Sequence, residues 1–233
     1  MKRIKTVAYA LCVFFLICEL QGCGLRGGST TLVSEDESYE KEKDSQAYEN
    51  LTDKASWYEG ENEPEVVTLY LTVGRGNEGE GTEHTWAEIN ERALSWYEER
   101  GIEPYKCEAV LQEGGEEGPM KEGFGYGDLT ANATVSLRGS SSSEHPQKSY
   151  RIDIKEGKGK WDGQKAVLLN KHVTDPVRFK NRLAYSLMQD IPQMFSARTR
   201  FVHLYVKDKT EGKDGLFEDY GLYTAVEQIG KAY

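Results

Sequence analysis

Three runs decide the fold: Asn132-Ala133-Thr134-Val135-Ser136-Leu137, Lys148-Ser149-Tyr150-Arg151-Ile152-Asp153-Ile154-Lys155 and Lys165-Ala166-Val167-Leu168-Leu169. In the first two, apolar and polar side chains alternate with a period of two, the signature of a strand that buries one face. Short polar connections separate the runs, so they read as an antiparallel meander. Working outward, Val66-Val67-Thr68-Leu69-Tyr70-Leu71-Thr72-Val73 alternates in the same way. Residues 106–112 form a weaker strand, and 200–206 with 220–226 read as two more, joined by a polar, Gly-containing loop. Two helices are expected between the strands. One spans 85–100, with Trp86, Ile89, Ala93, Trp96 and Tyr97 at helical spacing and Gly101 as its stop. The other starts at Thr174-Asp175-Pro176, a capping residue with proline at the first helical position, and stops before Ile191-Pro192. Val177, Leu183, Ala184, Leu187 and Met188 give it an apolar face, with Arg178, Lys180 and Arg182 largely opposite. The fold class is therefore α+β: an antiparallel sheet meander with packed helices.

The start of the chain reads differently. Lys2, Arg3 and Lys5 precede a twelve-residue apolar run, 7–18, too short for a bilayer span of about 20 residues and suited to an export signal. Glu19-Leu20-Gln21-Gly22-Cys23 resembles the bacterial lipobox, which implies cleavage after residue 22 and a lipid on Cys23. The chain is then expected at the extracytoplasmic face of a bacterial membrane, with Cys107 its one remaining thiol. Residues 23–64 are rich in Gly, Ser, Thr and acidic side chains. Such a stretch buries too little apolar surface to offset its entropy, and is read as a disordered acidic tether reaching roughly 35 Å. A folded domain over 65–233 follows.

Charge is unevenly distributed. Residues 1–130 carry 12 Lys/Arg against 27 Asp/Glu, 131–210 carry 15 against 7, and the last 23 carry 2 against 5, for a total of −10. The basic middle is where an anion finds favourable potential. Within it, Arg138 leads into Gly139-Ser140-Ser141-Ser142-Ser143-Glu144, and Lys148 and Arg151 begin the next strand. Hydroxyls and N–H groups of a tight loop can wrap phosphate oxygens while Arg and Lys neutralise them. A solvated hairpin with ordinary surface cations is the alternative. Elsewhere, Gly74-Arg75-Gly76-Asn77-Glu78-Gly79 matches G-x-G-x-x-G formally, but no helix opens directly after it and its glutamates repel phosphate, so it reads as a turn. The four His residues are scattered without zinc-ligand spacing, and Ser141, His145 and Asp153 lack a nucleophile-elbow context. Export and the acidic total disfavour nucleic acid as a partner.

Arg138-Gly139-Ser140-Ser141 followed by Lys148-Ser149-Tyr150-Arg151 resembles a block of the spore coat protein H (CotH) kinase family. Leu168-Leu169-Asn170, Asp175, the Arg178–Leu183 stretch and Gly221-Leu222-Tyr223-Thr224-Ala225-Val226-Glu227 continue the resemblance in order. It implies an atypical, surface-located kinase with a kinase-like N-terminal lobe, transferring the γ-phosphoryl of ATP to Ser or Thr of a protein with Mg²⁺ or another divalent metal. By the same resemblance, Lys148 takes the nucleotide-phosphate position. Arg138 and Arg151 support the phosphates or the loop, Ser140 and Ser141 shape the turn, and Glu227 pairs with a cation or marks the adenine side. No H-R-D-like or D-F-G-like stretch occurs, so the catalytic and metal-binding aspartates are expected after Tyr233, with this chain supplying the nucleotide-binding half. The alternative reading is a catalytically inactive surface scaffold for adhesion or sugar binding.

Overall fold

The computed structural model describes residues 66–191, 194–212 and 215–229. The export signal, Cys23 and the tether lie outside the described residues. The elements run β1 (Val66–Gly74), α1 (Trp86–Glu91), α2 (Leu94–Glu98), β2 (Lys106–Gly115), β3 (Gly118–Pro119), β4 (Ala133–Arg138), β5 (Ser149–Ile154), β6 (Ala166–Asn170), α3 (Lys180–Gln189), β7 (Thr199–Asp208) and β8 (Glu218–Val226). The architecture is sheet-rich α+β, as the alternation implied.

The sheet is not a simple meander. Its order is β1-β7-β8-β6-β5-β4-β2-β3, and β1 also pairs with β2, so seven strands close into a ring with β3 appended to β2. The meander expected over 133–170 is present, with β4, β5 and β6 as successive antiparallel neighbours. Beyond it the wholly antiparallel expectation needs correction: β8 lies beside β6, and β7 pairs parallel with β1 from Val66↔Phe201 to Val73↔Asp208. Closure follows from having one apolar face per strand. Curling the sheet aims every such face at a common interior and leaves few free edges.

That interior is filled by Leu69, Leu71 and Val73, Cys107 and Leu111, Val135 and Leu137, Tyr150 and Ile152, Leu169, Val202 and Leu204, and Tyr223, all buried. The Cys107 thiol donates to the His84 carbonyl at 3.0 Å, and burial pushes its pKa up to about 12, so it is an inert core residue.

The registers define two mouths. Gly74, Lys106, Arg138, Ser149, Asn170 and Asp208 mark the upper one; Val66, Ala133, Ile154, Ala166, Thr199 and Val226 mark the lower. Helix α1 covers the upper mouth, inserting Trp86 and Ile89 into the core. A capping box starts it: the Glu88 N–H donates to Thr85 Oγ1 at 3.1 Å, and the Thr85 N–H donates to Glu88 Oε2 at 2.7 Å. The Thr85 N–H, and then the Thr85 hydroxyl donating to the same Oε2 at 2.9 Å, hold the Glu88 carboxyl below its usual range.

The single helix expected over 85–100 is two helices. Arg92 and Ala93 are extended, with ψ of 144° and 160°. The Leu94 N–H donates to Ser143 Oγ at 2.9 Å, and the Arg92 guanidinium lies 4.0 Å from the Trp96 ring centroid. Contacts from a distant loop thus override a continuous helical pattern.

Helix α3 departs from expectation at both its start and its orientation. Pro176 is not its first residue, because Arg178 adopts a left-handed φ of +56° and the helix opens only at Lys180. Asp175 still serves the start: its Oδ2 accepts the Lys180 N–H at 3.0 Å and its Oδ1 the Val177 N–H at 3.3 Å. Burial alone would raise the Asp175 pKa, but these donors outweigh it and hold the group low. The apolar face points outward. No α3 residue is buried, Leu183 and Leu187 are exposed, and Arg182 lies over Phe201 of β7 at 4.6 Å.

Candidate functional site

The β4–β5 connection is a tightly self-bonded turn at the upper mouth. Gly139 takes a φ of +79°, where a Cβ would meet Ser142 Oγ at 2.5 Å, and Ser141–Glu144 forms a 3-10 turn. The Ser143 N–H donates to the Gly139 carbonyl at 3.0 Å, and Ser143 Oγ donates to the Ser140 carbonyl at 2.6 Å. Ser95 Oγ donates to Glu144 Oε1 at 2.7 Å, tying the far side of the turn to α2. Ser140 and Ser141 sit exposed on its outer side.

Lys148 closes the turn from beneath. Its Nζ donates to the Ser143 carbonyl at 2.5 Å, and the residue is buried. Burial lowers its pKa, with Glu144 partly opposing. Arg138, on the same mouth, donates through Nη1 to Asn170 Oδ1; burial lowers its pKa, with Tyr185 opposing and Arg151 adding to the fall.

The remaining residues expected at the site lie elsewhere. Arg151 faces outward on β5, forking onto Asp153 with Nε–Oδ2 and Nη2–Oδ1 both at 2.7 Å, and reaching Gln228 at 3.3 Å. That partner raises its pKa. Glu227 stands at the lower mouth, where it accepts from Arg198 Nη2 at 2.9 Å, the Arg198 N–H at 3.1 Å and Gln164 Nε2 at 2.7 Å. Neither is brought to Lys148. The exclusion of a Ser141, His145 and Asp153 triad agrees with the geometry, since Asp153 is committed to Arg151 on the outer face.

A second lysine, which the motifs did not single out, shares the upper mouth. Lys171 directly follows β6 and is 3% exposed. Its N–H donates to Ser149 Oγ at 3.0 Å, and its ammonium donates to the Tyr220 carbonyl and stands 4.1 Å from the Tyr223 ring centroid. Burial, reinforced by Arg178 and opposed by Asp219, brings its pKa down to about 8. The Arg178 guanidinium donates to the Lys171 carbonyl and to Gln147 Oε1, both at 2.6 Å. His172 and Arg178 both adopt left-handed backbone, φ +48° and +56°, and strained conformations of about 1–3 kcal/mol each concentrate at ligand-binding segments. Its only mark in the sequence is that it follows the apolar run Ala166-Val167-Leu168-Leu169 closely.

Lys148 and Lys171 line one cavity of about 450 Å³, together with Trp86, Asn90, Tyr150, Tyr220, Asp208 and Glu218. Each ammonium has three donors and rests on a backbone carbonyl. Two buried cations held by neutral acceptors suit a ligand with several anionic oxygens. A divalent metal fits less well: among the described residues no group of three or more His, Cys, Asp or Glu is placed to hold one. Asp208 Oδ1 already accepts from the Thr210 N–H and hydroxyl at 2.8 and 2.6 Å.

The upper-mouth turn, Lys148 and Lys171 all fall within residues 135–233, and that segment matches the family described as CotH kinase protein. The match over that segment supports CotH family membership. No curated protein matches the chain.

Proposed function

We propose that the upper-mouth cavity binds the phosphates of ATP, and that the protein is the nucleotide-binding half of an atypical surface kinase passing the γ-phosphoryl group to Ser or Thr of a protein substrate. The observation that carries this reading is the pair of buried lysines facing one cavity, each resting on a carbonyl oxygen. Lys148 and Lys171 neutralise phosphate oxygens. Arg138 fixes the mouth through Asn170, and the Ser140–Ser141 turn supports Lys148 from above. Phosphoryl transfer depends on positioning and charge neutralisation, which this half supplies. Among the described residues no three His, Cys, Asp or Glu side chains are grouped to hold a divalent metal, so the lysines carry the charge neutralisation in this half. The kinase-like N-terminal lobe, the lipid on Cys23 and the extracytoplasmic location belong to the same proposal.

Equilibrium dialysis of ATP against the wild-type chain, Lys148→Ala and Lys171→Met tests the site. Saturable binding that weakens in both variants supports it. Wild-type chain that binds no ATP, or variants that bind as well as wild type, would overturn it.

A further inference from the structure

Helix α3 is inverted relative to the usual amphipathic surface helix: Arg182 turns toward the ring while Leu183 and Leu187 face out. Phe179, Leu183, Leu187 and Ile191 recur at four-residue spacing and are all 37–45% exposed. A contiguous apolar row of this kind marks an interaction surface. Besides Ala184, the other exposed residues from 179 to 191 are Lys180 and Asp190, one near each end. The outward face is self-complementary about Tyr185: Phe179 and Ile191 lie six residues either side of it, Lys180 and Asp190 five, and Leu183 and Leu187 two.

We propose that this face is a homodimer interface, on which α3 of a second copy of the chain lies antiparallel across a two-fold axis at the midpoint of the row. That arrangement sets Phe179 against Ile191, Leu183 against Leu187 and each Lys180 against Asp190 of the other copy. Such reciprocity, in which residue i meets j while j meets i, is what a two-fold interface requires. Rows at four-residue spacing on both helices also interdigitate as ridges into grooves. A parallel pair would instead oppose lysine to lysine and aspartate to aspartate. The two exposed charges cancel, so neither an anionic bilayer nor a charged peptide gains net attraction from the face. The apolar row supplies the adhesion, and the two ion pairs set direction and register. A ten-residue helix offers less than the about 800 Å² per partner of a stable complex, so the dimer is weak and reversible. The Arg178 guanidinium donates to the Lys171 carbonyl at 2.6 Å, so each helix starts beside its own upper mouth. Antiparallel pairing sends the two mouths to opposite ends of the contact.

The test places the photoreactive amino acid benzoylphenylalanine at Ala184 in the full chain, an exposed position that leaves the apolar row intact. Isotopically light and heavy chains are mixed at increasing concentration with anionic vesicles present, and the crosslinked peptides are mapped. Light–heavy crosslinks into residues 179–191 are expected, with a yield that rises with concentration. Lys180→Glu and Asp190→Lys should each lower that yield severalfold, and the two together in one chain should restore it. Crosslinks only within one molecule, lipid adducts in place of protein, light–heavy crosslinks into other segments, or no crosslink would each overturn the proposal. So would single reversals without effect, or a double reversal that crosslinks no better than either single one.

Discussion

At the lower mouth of the ring, charges meet opposite charges: Arg198 with Glu227 at 2.9 Å, and Arg200 with Asp162 at 3.2 Å. At the upper mouth, Lys148 and Lys171 are buried against carbonyl oxygens, with Glu144 and Asp219 only moderating their pKa values. Both mouths are polar and both are rich in cations. The difference lies in how the charge is compensated. Buried ions paired within the protein hold the structure together, whereas buried ions left short of a counter-charge raise the energy of the empty state and lower it when an anion arrives. Family resemblance alone placed residues from both mouths in one site; charge compensation separates them.

The sharpest way to break this contrast is at Glu227. Removing its carboxylate takes from Arg198 its 2.9 Å ion pair and leaves the weaker contacts to Asp162, so Glu227→Ala should destabilise the fold by about 1–3 kcal/mol. Urea denaturation measures that loss, and at concentrations where the variant is folded its ATP affinity should equal wild type. An affinity loss as large as that of the lysine variants would erase the distinction between the mouths.

Substitutions at the upper mouth should do the reverse. Lys148→Ala and Lys171→Met should each weaken ATP binding by about 10- to 100-fold, the worth of a charge-assisted hydrogen bond at roughly 1.5–3 kcal/mol. Lys171→Met should also leave the unliganded fold as stable as wild type or more so, since it removes a buried ammonium. A marked drop in its melting temperature would assign Lys171 to structure instead.

Acidity sharpens the same point. The Lys171 pKa is about 8 in the fold, below the 10.5 of a free lysine, so between those values the unfolded chain binds the extra proton. Stability of the ligand-free protein should therefore rise by roughly 2–3 kcal/mol as pH climbs from about 8 to 10.5, and this gain should vanish in Lys171→Met. Below pH 8 the cost of the buried charge is present in full. ATP binding favours the protonated amine and should weaken over the window in which stability improves. The smallest effect is expected at Arg151: its fork onto Asp153 is half-exposed, and Arg151→Ala should cost less than about 1 kcal/mol and leave ATP affinity unchanged.

The strands were legible because each buries one face, and alternation in Leu69–Leu71–Val73 or Tyr150–Ile152–Ile154 records that directly. Ring closure was not, since the β1–β7 pairing joins segments far apart in sequence and no local pattern encodes it. The break at Arg92–Ala93 was hidden for the same reason, its cause being Ser143 in another loop. Of the candidate site, Arg138 and Lys148 were legible through the motif blocks. Arg151 and Glu227 were drawn in by the same blocks although their partners lie on the outer face and at the lower mouth. Lys171 escaped notice because its significance is burial without a carboxylate partner, a property of the folded surroundings. The apolar face of α3 was legible, but periodicity gives a face without saying which way it turns, and here it turns outward.

The parallel pairing of β1 with β7 has a consequence for synthesis. β2 can meet one edge of β1 early, but the other edge waits until Phe201 and the rest of β7 have been made. Such remote pairing slows folding, and an early strand with unsatisfied backbone groups invites association with other nascent chains. This architecture should depend on chaperoned delivery more heavily than a barrel wound from consecutive hairpins.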